Sequence, residues 1–491
     1  MSQAAPPRIL IISHDVVGQR MAGTGIRAWQ IARALARLGD LTLIAPGAID
    51  LAPDGFRAGG YTWGDAATLA RWLAAADLVV ANGFVLEAHP ELATIAQPLA
   101  LDLYDPVLLE NLELLRAAPA EARAARAAAD GQLLARQLAA GDFFVCATER
   151  QRDLYLGALM LAGRLTPGQI DADPTARALL DVAPFGLDPT PPQRRASALR
   201  GVLPGIAADD PLLLWTGGLW DWLDPLTLIE AMPALIARQP RARLVFLAGR
   251  HPGAAAAMRM PEQARALAEA RGLLGRHVFF YDEWVPYERR ADVLLDATIA
   301  VSLHRNHLET AYAAVRSRFL DHLWAGLPSL VSDGDAAAEL VRAHGLGAVV
   351  PPSDAAATAE AIDALLGDAA RLAACGVAAR ALAQQFAWEH VLAPLAAWVQ
   401  RAGRGEVVRH AEPARAAIAR SMPMSEQQRE LIQQMEASWR LDAPAPAGLR
   451  GLAVRLIRRG LAPLLAQQRS FNAAALRLMY RLHDPDAPQD E

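Results

Sequence analysis

The stretch Val301–Asp335, VSLHRNHLETAYAAVRSRFLDHLWAGLPSLVSDGD, decides how the rest of the chain is read. A short apolar run ends in a loop rich in His and Arg, a helix follows and stops at Gly326, and a new strand begins behind Pro328. Two carboxylates, Glu309 and Asp321, and two arginines, Arg316 and Arg318, crowd the loop and helix. In an open α/β sheet this order of strand, polar loop and helix places an anionic ligand at the strand's carboxyl end. Arg316 and Arg318 are two positions apart, so on one continuous helix they diverge by about 200°. They face one ligand together only if the helix begins between them.

The same unit recurs on both sides of this stretch. Upstream, Leu212–Trp215 leads into Thr216-Gly217-Gly218, a helix spans about Pro225 to Arg238, and Leu244–Ala248 ends in Gly249-Arg250-His251. A helix near 261–272, the strand His277–Tyr281 and the aromatic pair Trp284 and Tyr287 follow, and Ala348–Leu366 closes the series downstream. Nearer the N-terminus, the apolar strand Arg8–Ser13 runs into a glycine loop with Gly23 and Gly25, then a helical pattern over Ile26–Leu38 and a strand at Leu41–Ala45. Those glycines let backbone amides approach an anion at the helix N-terminus, or simply make a flexible turn. Asp77–Ala81, Pro98–Leu103 and Phe143–Ala147 are further strands with polar residues just behind them, among them Asp102 and Asp105. Either aspartate suits a site at the sheet's carboxyl edge, a helix cap or a turn.

PFGLDPTPPQRR, residues 184–195, carries four prolines and reads as an interdomain linker and natural hinge. The expected fold is therefore α/β: two Rossmann-like domains, 1–188 and 189–380, face each other across a cleft. An amphipathic helix with Trp388 and Trp398 closes the fold over 381–402. A linker and basic helical extension occupy 403–491, where residues 448–483 hold seven arginines and no acid among Leu, Ile, Val and Met. Such a helix suits an anionic membrane surface, packing on the protein body, or self-association.

Composition removes several function classes. The 491 residues are 53% hydrophobic but only 6% aromatic, which favours helices over an all-β fold. A net charge of -5 gives no reason to expect nucleic acid. All 48 basic residues are Arg, which excludes a phosphate loop or a pyridoxal-phosphate Schiff base that needs Lys. Any phosphate must then be met by Arg, by helix N-termini or by a metal, and no metal cluster is apparent. Cys146 and Cys375 sit far apart in apolar or Ala-rich surroundings and read as buried thiols. The start has no signal-peptide pattern and no apolar run reaches ~18 residues, so a cytoplasmic protein is expected, with the option of lying at the inner face of a membrane.

Together AGTGIR (22–27), DLYDP (102–106), PFGLD (184–188), TGGLWDWLDP (216–225) and LDHLWAGLP (320–328) resemble the GT-B glycosyltransferases of family 4, bacterial in style, over roughly residues 8–400. The resemblance implies a retaining transferase without a cofactor. A nucleotide-diphosphate sugar would be held mainly by the second domain and a hydroxyl acceptor, saccharide or glycolipid, mainly by the first. Of that family's two donor-site glutamates, the second falls on Asp321 and the first on Ala313, leaving Glu309 as the nearest acid. The Arg and Lys that family members usually carry after the first strand of the second domain are missing from GGLWDWLD.

The donor-site candidates are accordingly Gly23, Gly25, Gly217, Gly218, Arg250, Trp284, Glu309, Arg316, Arg318 and Asp321. Arg305 is a further phosphate candidate. Trp284 and Tyr287 could stack on a base and Trp220 and Trp222 could line the sugar pocket, or all could be core. Asp102, Asp105 or His14 would orient the acceptor or stabilise charge on the sugar ring. The rival readings are a nucleotide-sugar 2-epimerase on the same fold and a non-catalytic member that binds a partner. The implied setting is surface polysaccharide or glycolipid assembly.

Overall fold

The computed structural model describes residues 5–407, apart from 20, 189 and 249–257 and the side chain of Tyr287. Arg250 and the proposed basic extension lie outside the described residues.

Apolar runs too short for helices become strands buried on both faces, the pattern of a parallel sheet covered by helices. The first sheet comprises β1 (Arg8–Ile12), β2 (Asp40–Pro46), β3 (Arg57–Tyr61), β4 (Leu78–Asn82), β5 (Leu99–Asp102), β6 (Phe143–Cys146) and β7 (Leu180–Val182). Their order is β3-β2-β1-β4-β5-β6-β7, every neighbouring pair being parallel. The second sheet comprises β8 (Leu212–Trp215), β9 (Arg243–Leu247), β10 (Val278–Tyr281), β11 (Ile299–Ser302), β12 (Ser329–Ser332) and β13 (Gly347–Val350). Its order is β10-β9-β8-β11-β12-β13, again parallel throughout. Strand order reverses between β1 and β4 in one sheet and between β8 and β11 in the other. The loops leaving these four strands open the crevice where such sheets bind ligands.

The two halves share a core. Residues of the second half, including Phe319, Leu320 and Leu323, join Trp29, Ile31 and Leu35 of the first in one buried cluster. The chain crosses between halves twice. On the way out, Leu187 forms a bridge with Ala387, accepting from Trp388 and donating to Phe386. Trp324 Nε1 donates to Thr190 O at 2.8 Å. The prolyl segment is thus tied at Leu187 and at Thr190.

On the way back, the single helix expected over 381–402 is divided. Helix Ala369–Ala383 gives way to a 3₁₀ turn at Gln384–Phe386, and Ala387 is extended at φ -53°, ψ 134°. Short helices at Trp388–Val391 and Ala393–Gly403 follow. The bridge to Leu187 demands the extended residue, and Pro394 in the first turn of the last helix suits a restart there. Trp398 then stacks on Phe143, ring centroids 5.9 Å apart and planes 10° apart, which returns the chain to the first half. Cys146 and Cys375 are buried free thiols. Among the described residues no helix is long and apolar enough to cross a membrane.

Candidate active site at the two switch points

Leaving β11, the chain forms a short helix, Leu308–Tyr312, whose N-terminus is capped by His307 through Thr310 N. It then extends, and a second helix, Ser317–Ala325, begins behind Arg316, which is held at φ -59°, ψ 136°. The break falls between the two arginines, the one arrangement that frees them from diverging. Gly326, left-handed at φ 66°, ends the helix.

Arg316 Nη2 donates to Glu309 Oε2 at 2.9 Å, and His307 Nδ1 lies 3.6 Å from the same oxygen. Glu309 is buried. Arg318 turns toward β8: its Nη2 donates to Gly218 O at 3.0 Å and its guanidinium lies 5.7 Å from the Trp215 ring centroid. Gly217 adopts φ +77°, a conformation favourable to glycine, and a side chain there would sit 3.5 Å from Arg318. The guanidinium therefore reaches the loop where the sequence lacks its own basic residue.

Arg318 is only 8% exposed, and its Nη1, like Nε of Arg316, is buried with no hydrogen-bond partner in the protein. Burial, then the neighbouring Arg316 charge, pushes Arg318 down to about 9. Glu309 answers the first of these clustered cations, and the unused donors of both suit a further anion.

The first half adds to it. Helix Gly23–Leu35 starts without a side-chain cap or an acid in its first turn, and so does Ser317–Ala325. A Cβ on Gly23 would lie 3.7 Å from Ser317 Oγ, so the two helix N-termini meet. Each brings backbone N–H groups and the positive end of a dipole there, and Asp15 already stands at the first, its Oδ2 accepting from Thr24 Oγ1. Gly25 permits the approach of Val16, whose carbonyl oxygen would lie 2.2 Å from an added Cβ. Asp321, one helical turn beyond Arg318, lies 3.6 Å from Arg290 Nη1, and burial raises its pKa.

The β1/β4 side has the opposite character. His14, Thr24, Arg27, Asn82, Asp102 and Asp105 are among the residues lining a narrow pocket there. Arg27 is buried and grips both oxygens of Asp102, Nε to Oδ2 at 2.6 Å and Nη2 to Oδ1 at 3.0 Å. It also donates to Ala183 O and Pro184 O at the start of the linker. Asp102 is therefore occupied in holding Arg27. Asp105 remains: burial first, then the charge of Asp102, raises it to about 7. His14 stands edge-on to Phe84, ring centroids 5.5 Å apart, and burial lowers its pKa.

Sequence reading missed Glu110. It sits in the first turn of helix Val107–Leu114. Burial, then the charges of Asp105 and Glu309, raises it well above the ordinary value, and Arg316 opposes the shift. Its only sequence signal is position, one turn beyond DLYDP. Also missed were the residues that join the halves here. Gln151 Nε2 donates to Tyr104 O at 3.1 Å and to Tyr312 O at 2.9 Å, while Arg150 donates to Ala311 O and Gly334 O.

Of the aromatic candidates, Trp220 stacks on Trp222, centroids 5.2 Å apart, and Trp222 is buried. Trp284 is half-buried behind β10. Arg305 Nη2 donates to Asp221 O, and His307 Nε2 lies 2.9 Å from Trp222 O, tying the loop after β11 to the loop after β8.

Residues 210–368 match the family of glycosyl transferases group 1. Sucrose-phosphate synthase from Thermosynechococcus elongatus superposes with a TM-score of 0.56 at 18% identity, over 81% of this chain and 100% of that one. HepE from Anabaena, in complex with UDP and glucose, superposes with a TM-score of 0.56 at 16% identity, over 80% and 98%. The UDP-forming α,α-trehalose-phosphate synthase from Burkholderia xenovorans gives 0.57 at 13% identity, over 81% and 99%. The fold is GT-B. D-inositol 3-phosphate glycosyltransferase from Nocardia farcinica is 30% identical over 217 residues, 44% of this chain and 46% of its own. The matched region thus spans under half the length of that relative.

Proposed function

We propose that the chain is a retaining glycosyltransferase of the family 4 type, moving a sugar from a nucleoside-diphosphate sugar to a hydroxyl acceptor. The observation that carries this reading is the pair of buried arginines, Arg316 and Arg318, with unused N–H donors where two uncapped helices meet. A diphosphate supplies the missing charge and accepts from both. The group 1 family match over the second half and the UDP and glucose bound to HepE support the same donor class.

In this reading the sugar C1–O bond to the diphosphate breaks as the acceptor oxygen bonds to C1 on the same face. The acceptor proton passes to a phosphate oxygen of the leaving nucleoside diphosphate. Arg316, Arg318 and the amides at Gly23–Gly25 stabilise the charge that develops there, the role of preorganised donors in a dry site. Asp321 grips ribose hydroxyls, and Glu309, aligned by Arg316, takes hydroxyls of the sugar. Asp105 and His14 orient the acceptor, and Asp102 acts through Arg27. The donor is a substrate, and no cofactor or metal enters the scheme. The acceptor is a saccharide or glycolipid of surface polysaccharide assembly, met in the cytoplasm or at the inner membrane face. The basic composition of 448–483 supports that setting.

Calorimetric titration with UDP, GDP and dTDP and their sugars tests the donor site. One series should bind, and Arg316→Ala and Arg318→Ala should each weaken it. Unchanged affinity in both variants would overturn the assignment. Proton NMR of the product checks anomeric retention. An epimerised sugar nucleotide formed without acceptor would instead identify the epimerase, which the group 1 family match does not favour.

A further inference from the structure

Thr216, the residue just before Gly217, is buried, and so are His322 and Ser329. His322 Nε2 lies 3.0 Å from Thr216 Oγ1, and His322 Nδ1 lies 3.1 Å from Ser329 Oγ. A line of hydrogen bonds therefore runs from the first residue of β12, through the helix Ser317–Ala325, to the root of the loop after β8. The same helix meets that loop a second time, one turn earlier, where Arg318 donates to Gly218 O. The loop is fixed at two points to one helix, and Nη1 of Arg318 is buried beside it with no hydrogen-bond partner.

We propose that His322 is a positioning residue for the donor site: with Thr216 and Ser329 it sets the Gly217–Gly218 loop against Arg318. This rests on the donor reading above and deepens it by naming what aims the diphosphate-binding guanidinium. A histidine suits the place for a chemical reason. A neutral imidazole has one donor and one acceptor nitrogen, on opposite sides of a stiff ring, and each hydroxyl can complete either role. Burial, then the charge of Arg318, pushes His322 down to about 3, so the ring remains neutral near pH 7. A third cation beside Arg316 and Arg318 would oppose the arrangement, and a neutral ring avoids it. Leu or Phe would fill the volume but leave both hydroxyls unpaired in a dry site.

The test uses the full chain and whichever of UDP, GDP and dTDP binds it. Thr216→Val keeps shape and volume to within one methyl-for-hydroxyl exchange and strands His322 Nε2. It should raise the Kd for the nucleoside diphosphate roughly tenfold. The affinity for the matching nucleoside, which has no phosphate, should stay within twofold. Thr216→Ser should restore diphosphate binding. His322→Leu should do no further harm when added to Thr216→Val, since one strut is broken in either case. Ring ¹⁵N shifts should show His322 neutral at pH 5 in the unmodified protein.

Unchanged diphosphate affinity in Thr216→Val overturns the inference, as does equal loss for nucleoside and diphosphate, the mark of general loosening. Additive losses in the double variant overturn it too. Arg318→Ala separates the layers. If that variant loses the diphosphate while Thr216→Val does not, the strut alone is wrong. If Arg318→Ala also binds normally, the donor reading fails with it.

Discussion

The two halves are the same machine by topology and opposites by charge. In each, strand order reverses beside the first strand of the sheet, and the loops leaving the reversal carry the polar residues. At the β1/β4 side the surplus is acid: Arg27 is consumed by Asp102, and Asp105 and Glu110 hold protons far more tightly than usual. At the β8/β11 side the surplus is base: Glu309 answers Arg316, and Arg318 donates to a carbonyl and forms no ion pair among the described residues. Parallel sheets supply a place for a ligand without choosing it. In the proposed reading the choice is made by buried charge, a cation in one half and proton-retaining acids in the other. A substrate with an anionic end and a hydroxylated end matches that division.

The largest expected effect tests whether the first half's ion pair is structural. Arg27→Met leaves Asp102 buried and unpaired and strips two linker carbonyls of their donor. Removing one partner of such a pair costs about 3–5 kcal/mol. Urea denaturation should show that loss, with the Arg27→Met/Asp102→Leu double variant recovering much of it. A small loss would mean water reaches the pair and the contrast between halves is overstated. Next in size, Arg318→Ala should weaken nucleoside-diphosphate binding by about 2 kcal/mol, a charge-assisted bond to phosphate being worth that order. Stability should hold or rise, because the site loses a cation it does not neutralise. Calorimetry and denaturation on the same variant check both signs. Last of these, Gln151→Ala removes a tie between the halves and also strands Ala147 N and Tyr104 O, so it should cost about 1–3 kcal/mol of stability, read from the urea midpoint.

Much of this contrast was legible in the chain because it depends on local order. Apolar runs ending in polar loops gave the strand sequence, and the end of the second helix at Gly326 followed from its left-handed cap. Two strands escaped for physical reasons. β3, RAGGY, is a half-exposed edge with two glycines and no apolar alternation, and β7 is three residues long with an aspartate at its centre. The site was readable only where its members lie close in sequence. Glu309 and Arg316 are neighbours in the chain and were both candidates. Arg27 and Asp102 are 75 positions apart, so the aspartate drew attention while its partner passed as part of a glycine loop. Glu110 meets Glu309 only because the halves close on each other, which no local pattern encodes. His322 had no ligand-like spacing at all.

The halves also differ in the sign of their pH dependence. Asp105 is held at about 7, above its ordinary 3.8, by burial first and by Asp102 next, with Asp15 and Glu309 adding and Arg27 opposing. The folded chain therefore binds more protons than the unfolded one between these values. Stability from this group is present below about pH 4 and lost as pH rises through about 7. Arg318 has the reverse sign. Its value of about 9 lies below the usual 12.5, so the unfolded chain binds more protons there and stability rises with pH above about 9. Asp105→Asn should flatten the slope between about pH 4 and pH 7 and stabilise the protein at pH 8, leaving the alkaline limb untouched. Arg318→Ala should do the converse, and saturating nucleoside diphosphate should mimic it, because a bound anion restores the guanidinium to full charge. Urea midpoints across pH 5–10 measure both limbs on one axis. If the diphosphate instead moved the Asp105 limb, the anion would be sitting among the acids, and the division of labour between the halves would have to be reversed.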